Sequence, residues 1–277
     1  MPEGDSIYRA ARRLDRGLAG RTLARTDFRV PQHATADLSG QIVMGTDTHG
    51  KHLFTRTDAG LTLHTHQRMD GGWTVLRPGT QLPRRMQQQV RVVLAAADGH
   101  TAYGLRLPVV ELLATRDEHL VRDHLGPDPL RDDWDLDEAV RRLASVPERP
   151  LVAALLDQRN LAGLGNLWVN ETCFLRGHSP WTPVSDVDVV AVVRLAAKML
   201  RASAFGRSSA QATTGVTRPG EDHWVYGRTR EPCRRCGTPI RHAGEVPGDA
   251  ERRHTWWCPC CQPGPGPGRL SRADTRR

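Results

Sequence analysis

The sequence predicts an α+β multidomain protein: a β-sandwich with one helix packed on it, then a helical domain, then a C-terminal β-hairpin held together by cysteines. Three observations carry that expectation. One amphipathic helical pattern at the N-terminus precedes eight short β-rich segments within residues 22–114. Four helical patterns then occupy residues 135–204. Five of the six cysteines fall in the last quarter of the chain, as Cys233-x-x-Cys236 and Cys258-Pro-Cys260-Cys261. At 277 residues the chain is long enough for about two domains of roughly 150 residues each.

Ile7, Ala11, Leu14 and Leu18 recur at helical spacing over residues 5–19, with Asp5 or Ser6 as the expected cap and Gly20 as the stop. The strand-like segments are TLARTDFRV, QIVMGT, HLFTRT, LTLHTH, WTVL, QVRVVLAAA, TAYGLRL and VVELL. Asp58-Ala59-Gly60, Gly71-Gly72 and Asp98-Gly99 supply turns between them. Residues 1–122 are therefore expected as the sandwich domain. DHLGPDPLRDDWD is rich in Pro and Asp, so residues 123–134 are expected as a linker. Helical patterns at 135–145, 150–158, 166–175 and 186–204 belong to a second domain, 135–227, whose polar segment 207–222 reads as a loop. Residues 228–262 are the cysteine module, and Cys173 falls within a helix. Residues 263–277 have one core-forming side chain, Leu270, and are expected as a disordered basic tail.

Hydrophobic residues make up 38% of the chain and glycine adds 26 residues, which excludes a wholly disordered polymer. Mean hydropathy is −0.51 and no apolar run approaches the ~18 residues a membrane helix needs. Charges at Glu3, Asp5 and Arg9 stand where a signal peptide would be apolar, so a cytoplasmic protein is expected. Lys plus Arg is 39 against 31 for Asp plus Glu, a net charge of +8. Such an excess favours phosphate polymers, and without a basic amphipathic helix nucleic acid leads over lipid. Arginine dominates it: Lys51 and Lys198 are the only lysines.

Each Cys-x-x-Cys turn aims two thiolates at one point, and two such turns complete a tetrahedral zinc shell. Cys233, Cys236, Cys258 and Cys261 are the expected ligands of one structural zinc ion, with Cys260 as the spare. Between the pairs, Ile240 to His242 and Arg252 to Trp257 read as the strands of a hairpin presenting Arg252 and Arg253 beside the metal, with Trp256 and Trp257 packed on the knuckle.

Two further motifs suggest chemistry. Ala162-Gly163-Leu164-Gly165-Asn166 joins two helical patterns, and Asn166 is the expected cap of the second. A helix N-terminus of that kind is a ready phosphate site. Pro2 follows the initiator Met, so removal of Met1 exposes a secondary amine directly before the carboxylate of Glu3. A secondary amine condenses with an aldehyde to a cationic iminium, an electron sink.

MPEGD, LLDQRNLAGLGNLWVNE, VYGRTREPCRRCGTPI and WWCPCCQ, in that order, resemble the formamidopyrimidine-DNA glycosylase and endonuclease VIII family of repair enzymes, over essentially the whole chain to Gln262. The resemblance implies an N-terminal β-sandwich, a helix–two-turn–helix domain and a zinc finger, acting on double-stranded DNA whose damaged base is flipped out before chemistry. It implies Pro2 as the nucleophile at C1′ and Glu3 as its proton donor and acceptor. It implies Lys51, in HGKHLF, as a phosphate contact that assists base release, Asn166 as the phosphate-binding residue of the turn, and Arg253 as the zinc-finger arginine on the phosphate flanking the lesion. Glu171 matches a helical acid near that site. In HQRMDGGW, read as a Gly-rich hairpin tip, Met69 matches the side chain that fills the gap left by the flipped base, with Arg68 beside it facing the opposite strand.

The formamidopyrimidine branch carries an Asp-Pro-Arg-Arg-Phe type segment, and the corresponding stretch here is AYGLRLPVVELL, which lacks it. The resemblance is therefore to the endonuclease VIII branch, in its actinobacterial form. It implies a monomeric, nucleoid-associated glycosylase and abasic-site lyase, acting mainly on oxidised pyrimidines by β,δ-elimination. The rival readings are a same-fold enzyme preferring oxidised purines and a non-catalytic binder of damaged DNA.

Overall fold

A computed structural model describes residues 2–208, 210–244 and 253–267. The chain divides into two compact units, Met1–His124 and Leu125–Arg277. Among the described residues no helix is long and apolar enough to cross a membrane.

The first unit opens with α1 (Gly4–Leu18). Glu3, in extended conformation, is its N-cap, in place of the expected Asp5 or Ser6. Ser6 is worth more three residues inside: its Oγ accepts the Glu3 N–H at 2.9 Å and donates to the Glu3 carbonyl at 2.9 Å. Eight strands follow: β1 (Leu23–Phe28), β2 (Val43–His49), β3 (His52–Thr57), β4 (Leu61–His66), β5 (Gly72–Leu76), β6 (Val90–Ala96), β7 (Thr101–Leu105) and β8 (Val109–Ala114). They make two four-stranded antiparallel sheets, in the orders β1-β6-β7-β5 and β2-β3-β4-β8. The expected sandwich and its packed helix are present. Ile7, Ala10, Ala11, Leu14 and Leu18 from α1 share one core with Val43, Leu53 and Leu63 of one sheet and Trp73, Val92, Leu94 and Ala102 of the other. The helix stays in place because its apolar stripe is the only face it can bury.

A short helix, α2 (His119–Arg122), closes this unit. Glu118 anchors it to β3 by a bidentate pair with Arg56, at 2.6 Å for both bonds, and accepts Thr62 Oγ1 at 2.8 Å.

The second unit holds α3 (Leu136–Ala144), α4 (Leu151–Leu156), α5 (Asn166–Arg176), α6 (Val189–Phe205) and the short strands β9 (Arg241–Ala243) and β10 (Thr255–Trp257). Asp135 and Asp188 cap α3 and α6 through their side chains. Every residue of α4 is buried, as an all-apolar helix requires. Residues 125–134 are part of this unit's packing: Leu125 and Leu130 are buried, and the Gly126 N–H donates to Gln158 O at 2.8 Å. Residues 210–222 form no helix or strand. Of the expected tail, residues 268–277 lie outside the described residues.

Candidate functional site

In the first unit the candidate residues sit on three chain segments. Pro2 is half-buried, and Glu3 is fully buried at the head of α1. Lys51 lies in the two-residue turn between β2 and β3, where His49 pairs with His52. Gly50, the first central residue, has φ +59, the left-handed geometry that a tight hairpin of this kind needs there. The turn therefore presents Lys51 at its tip, flanked by two histidines.

Arg68 and Met69 lie between β4 and β5. Those strands belong to different sheets, so the expected hairpin tip is instead a crossover from one layer of the sandwich to the other. Local sequence signals a tight turn but does not tell which sheet the next strand joins. The turn itself is there: Gly71 N–H donates to Gln67 O at 2.9 Å, and Arg68 holds φ +44 with its N–H on His66 Nδ1 at 3.1 Å. Met69 is 62% exposed, a large apolar side chain displayed to solvent.

In the second unit α4 and α5 are joined by the turn expected from the Gly-x-Gly motif. Gly163 has φ +91, while Gly165 is extended and serves as the N-cap of α5. Asn166 is thus the first helical residue and not the cap. Its side chain bonds a distant segment: Nδ2 donates to the His254 carbonyl at 2.8 Å. Gln158, which sequence reasoning passed over, staples this turn. It accepts Gly163 N–H at 3.0 Å and donates to Leu156 O and Leu164 O at 3.0 and 2.7 Å.

Glu171, expected as an acid near the site, is fully buried. Its carboxylate accepts the backbone N–H groups of Trp224, Val225 and Tyr226, each at 2.9 Å, and the hydroxyl of Thr213. It ties two distant segments, around 213 and 224–226, to α5.

Cys233, Cys236, Cys258 and Cys261 place their sulfurs within 4.8 Å of one another and could hold a metal ion. Cys236 Sγ is 3.5 Å from Cys258 Sγ, and Cys233 Sγ is 3.9 Å from Cys261 Sγ. Cys260 is exposed and outside this cluster; Cys173 is buried in α5, its thiol pushed up to about 12 by loss of water. β9 and β10 pair antiparallel, Trp256 opposite His242. The expected tryptophan packing divides between two faces, as strand alternation demands. Trp257 meets Trp181 edge-on at 4.5 Å, and Trp256 lies against Tyr226 at 4.9 Å. Arg253 directly precedes His254, whose carbonyl Asn166 holds; Arg252 lies outside the described residues.

Asn170 is the other residue sequence reasoning missed. It is fully buried, with its Oδ1 accepting the Trp256 N–H at 2.7 Å and its Nδ2 on Asn166 Oδ1 at 3.0 Å. A signal existed: Asn166, Asn170, Glu171 and Thr172 are polar residues inside a helix buried nearly all round.

Two family models match the chain: the formamidopyrimidine-DNA glycosylase N-terminal domain over residues 1–104 and the formamidopyrimidine-DNA glycosylase H2TH domain over residues 125–211. A probable endonuclease 8 of Streptomyces coelicolor is 49% identical over 270 residues, covering 96% of each chain. A DNA-(apurinic or apyrimidinic site) lyase of Mycolicibacterium smegmatis is 43% identical, covering 95% of this chain and 99% of that one. Among solved structures, Lactococcus lactis formamidopyrimidine-DNA glycosylase bound to DNA with an abasic site superposes with a TM-score of 0.74 at 22% identity, over 95% of this chain and 100% of that one. That likeness shows the shared fold. The chain belongs to the formamidopyrimidine-DNA glycosylase and endonuclease VIII family, on its endonuclease VIII branch and in its actinobacterial form.

Proposed function

We propose that this protein is a bifunctional DNA glycosylase and abasic-site lyase, acting on double-stranded DNA that carries oxidised bases, mainly pyrimidines, or abasic sites. The observation that carries the reading is the pairing of Pro2 with a fully buried Glu3 at the head of α1. A carboxyl group shut away from water, one residue from a secondary amine, exchanges protons with that amine and its adducts more readily than with solvent. The 43–49% identical relatives named endonuclease 8 and abasic-site lyase support the same chemistry.

After removal of Met1, the Pro2 nitrogen attacks C1′ of the flipped nucleotide. The C1′–base bond breaks and the base leaves with a proton. The Pro2 nitrogen gives up its own proton, the C1′–O4′ bond opens with a proton passed to O4′, and the ring-opened sugar is held as an iminium. Loss of the C2′ proton expels the 3′ phosphate by β-elimination, and a second elimination expels the 5′ phosphate. Glu3 supplies and accepts protons at the sugar and the amine. Lys51 holds a phosphate from its hairpin tip. Asn166 and Arg253 grip the backbone beside the lesion, Met69 fills the vacated stack, and Arg68 faces the opposite strand. Glu171 shapes this surface from inside by fixing residues 213 and 224–226.

The four cysteines fit one structural zinc ion. A tetrahedron with Zn–S bonds of about 2.3 Å spaces its sulfurs by about 3.8 Å, and the Cys236–Cys258 and Cys233–Cys261 separations here are 3.5 and 3.9 Å. The ion would hold the β9–β10 hairpin, and so Arg253, in place. DNA as substrate puts the working protein with the bacterial nucleoid.

Borohydride trapping on an abasic-site duplex tests the proposal. Reduction of the iminium should link protein and DNA covalently through Pro2, identified by peptide mass. Undiminished trapping in Pro2→Gly, or none in the wild type, would overturn it.

A further inference from the structure

We propose that Asn170 is a positioning residue for DNA binding: it locks the Asn166 carboxamide so that its N–H2 group, and not its oxygen, can meet a phosphate, and it clamps the strand leading from Arg253 to the same helix. The inference rests on the reading of Asn166 and Arg253 as phosphate contacts.

Four hydrogen bonds form a closed circuit. Trp256 N–H donates to Asn170 Oδ1 at 2.7 Å. Asn170 Nδ2 donates to Asn166 Oδ1 at 3.0 Å and to Asn166 O at 2.7 Å, which uses both of its hydrogens. Asn166 Nδ2 donates to His254 O at 2.8 Å. The circuit begins and ends on backbone groups two residues apart, which lie on the same edge of an extended strand. The other edge of β10 pairs with β9. Asn166 and Asn170, one helical turn apart on α5, therefore serve β10 as a neighbouring strand would.

The polarity of the circuit cannot reverse. A backbone N–H only donates and a carbonyl only accepts, so Trp256 dictates which way the Asn170 amide faces, and Asn170 dictates Asn166. A phosphate only accepts. A flipped Asn166 would turn its oxygen toward the ligand and be repelled. In the locked orientation one Nδ2 hydrogen goes to His254 and the second is directed outside the circuit. Asn170 is fully buried, so it acts only through these partners.

The test compares Asn166→Ala, Asn170→Leu and the double variant with the wild type, using a duplex that carries a tetrahydrofuran abasic-site analogue. Asn170→Leu keeps the shape and removes every hydrogen bond of the side chain. Each single variant should weaken Kd about tenfold, and the double variant no further, because both remove one unit. In Asn170→Leu the loss should fall on Kd and not on the borohydride trapping rate measured at saturating abasic-site DNA. In the DNA-free protein, amide exchange at Trp256 should speed up in Asn170→Leu, and metal content should be unchanged.

Additive losses in the double variant would overturn the lock, as would a fall in trapping rate at unchanged Kd. If Asn166→Ala alone leaves Kd unchanged, the phosphate reading of Asn166 fails and this role with it, while faster Trp256 exchange would still show the clamp. Should Asn170→Leu fail to fold, Asn170→Asp answers the same question. Its carboxylate still accepts from Trp256 but cannot donate to Asn166, so it should lose Kd with Trp256 exchange preserved; wild-type Kd in that variant would sink the proposal.

Discussion

His52 Nδ1 lies 2.9 Å from His64 Nε2, and the other nitrogen of His64 lies 2.8 Å from Glu111 Oε2. The Glu111 carboxylate accepts from His64 Nδ1–H, and in neutral His64 the Nε2 then accepts from His52 Nδ1–H. His52 is the residue directly after Lys51, so this relay of strands β8, β4 and β3 ends beside the hairpin tip that carries the candidate phosphate contact.

The first prediction concerns pH. Burial first, then the neighbouring His66, His64, His124 and His49, push His52 down to about 2 from its usual 6.5. The folded protein thus keeps His52 neutral while the unfolded chain protonates it below about pH 6.5. Protons bound only by the unfolded state cost stability as pH falls, so this contribution is whole above pH 6.5 and lost progressively below it. The slope reaches up to about 1.4 kcal/mol per pH unit. Urea unfolding of the wild type and His52→Phe between about pH 7.5 and 5 should give a flatter dependence for the variant. Equal slopes would assign the pH dependence to other groups.

A second prediction separates architecture from chemistry at Glu171. In Glu171→Ala the N–H groups of Trp224, Val225 and Tyr226 lose their acceptor, and Val225 is fully buried. Each orphaned buried donor costs about 1–3 kcal/mol, so a loss of at least about 2 kcal/mol is expected. Glu171→Gln keeps one acceptor oxygen and should fall between. Wild-type stability in Glu171→Ala, together with slowed base excision, would place the residue in the reaction and not in the scaffold.

The fold was legible where a signal is local and repeated. The stripe Ile7, Ala11, Leu14 and Leu18 and the alternating strands need only their own neighbours to be read, and both lie where periodicity put them. So does the cysteine cluster, because each Cys-x-x-Cys turn is set by its own four residues. Non-local choices were not legible. Which sheet receives β5 depends on strand pairing across the sandwich, so the loop of Met69 read as a hairpin. Asn166 had the right residue type for a cap, but the edge of β10, 88 residues on, takes its side chain. Asn170 has no pattern of its own; its partners are Asn166, one turn away, and Trp256, brought close only by the fold.

A third prediction concerns the metal. Cys258 is fully buried, whereas Cys260 is exposed. Cys258→Ser should abolish stoichiometric zinc, lower Tm and weaken DNA binding, since β10 would lose its anchor and, with it, the bonds from His254 and Trp256 to α5. Cys260→Ser should retain metal, Tm and binding. Metal analysis of both freshly purified variants checks this; zinc retained in Cys258→Ser, or lost in Cys260→Ser, would refute the ligand set.

The last prediction concerns Met69 and the choice of lesion. The crossover from β4 to β5 is a tight structure, with Gly71 bonded back to Gln67 and Arg68 at positive φ, so Met69 is displayed from a short, constrained turn. An exposed thioether side chain held this way can replace the stacking of an extruded base, which costs a few kcal/mol. Met69→Ala should therefore slow excision from duplex DNA much more than from single strands, where little stacking is lost. The other half follows from β7 and β8. Only residues 106–108 join them, and Leu107 among these is buried in the core, so this connection offers no projecting segment to enclose a purine. Excision of 8-oxoguanine should accordingly lag behind that of thymine glycol or 5-hydroxycytosine in matched duplexes. Single-turnover rates measure both halves. Equal losses on single and double strands would remove Met69 from the gap-filling role, and faster release of 8-oxoguanine would show that purine recognition comes from residues outside the β7–β8 connection.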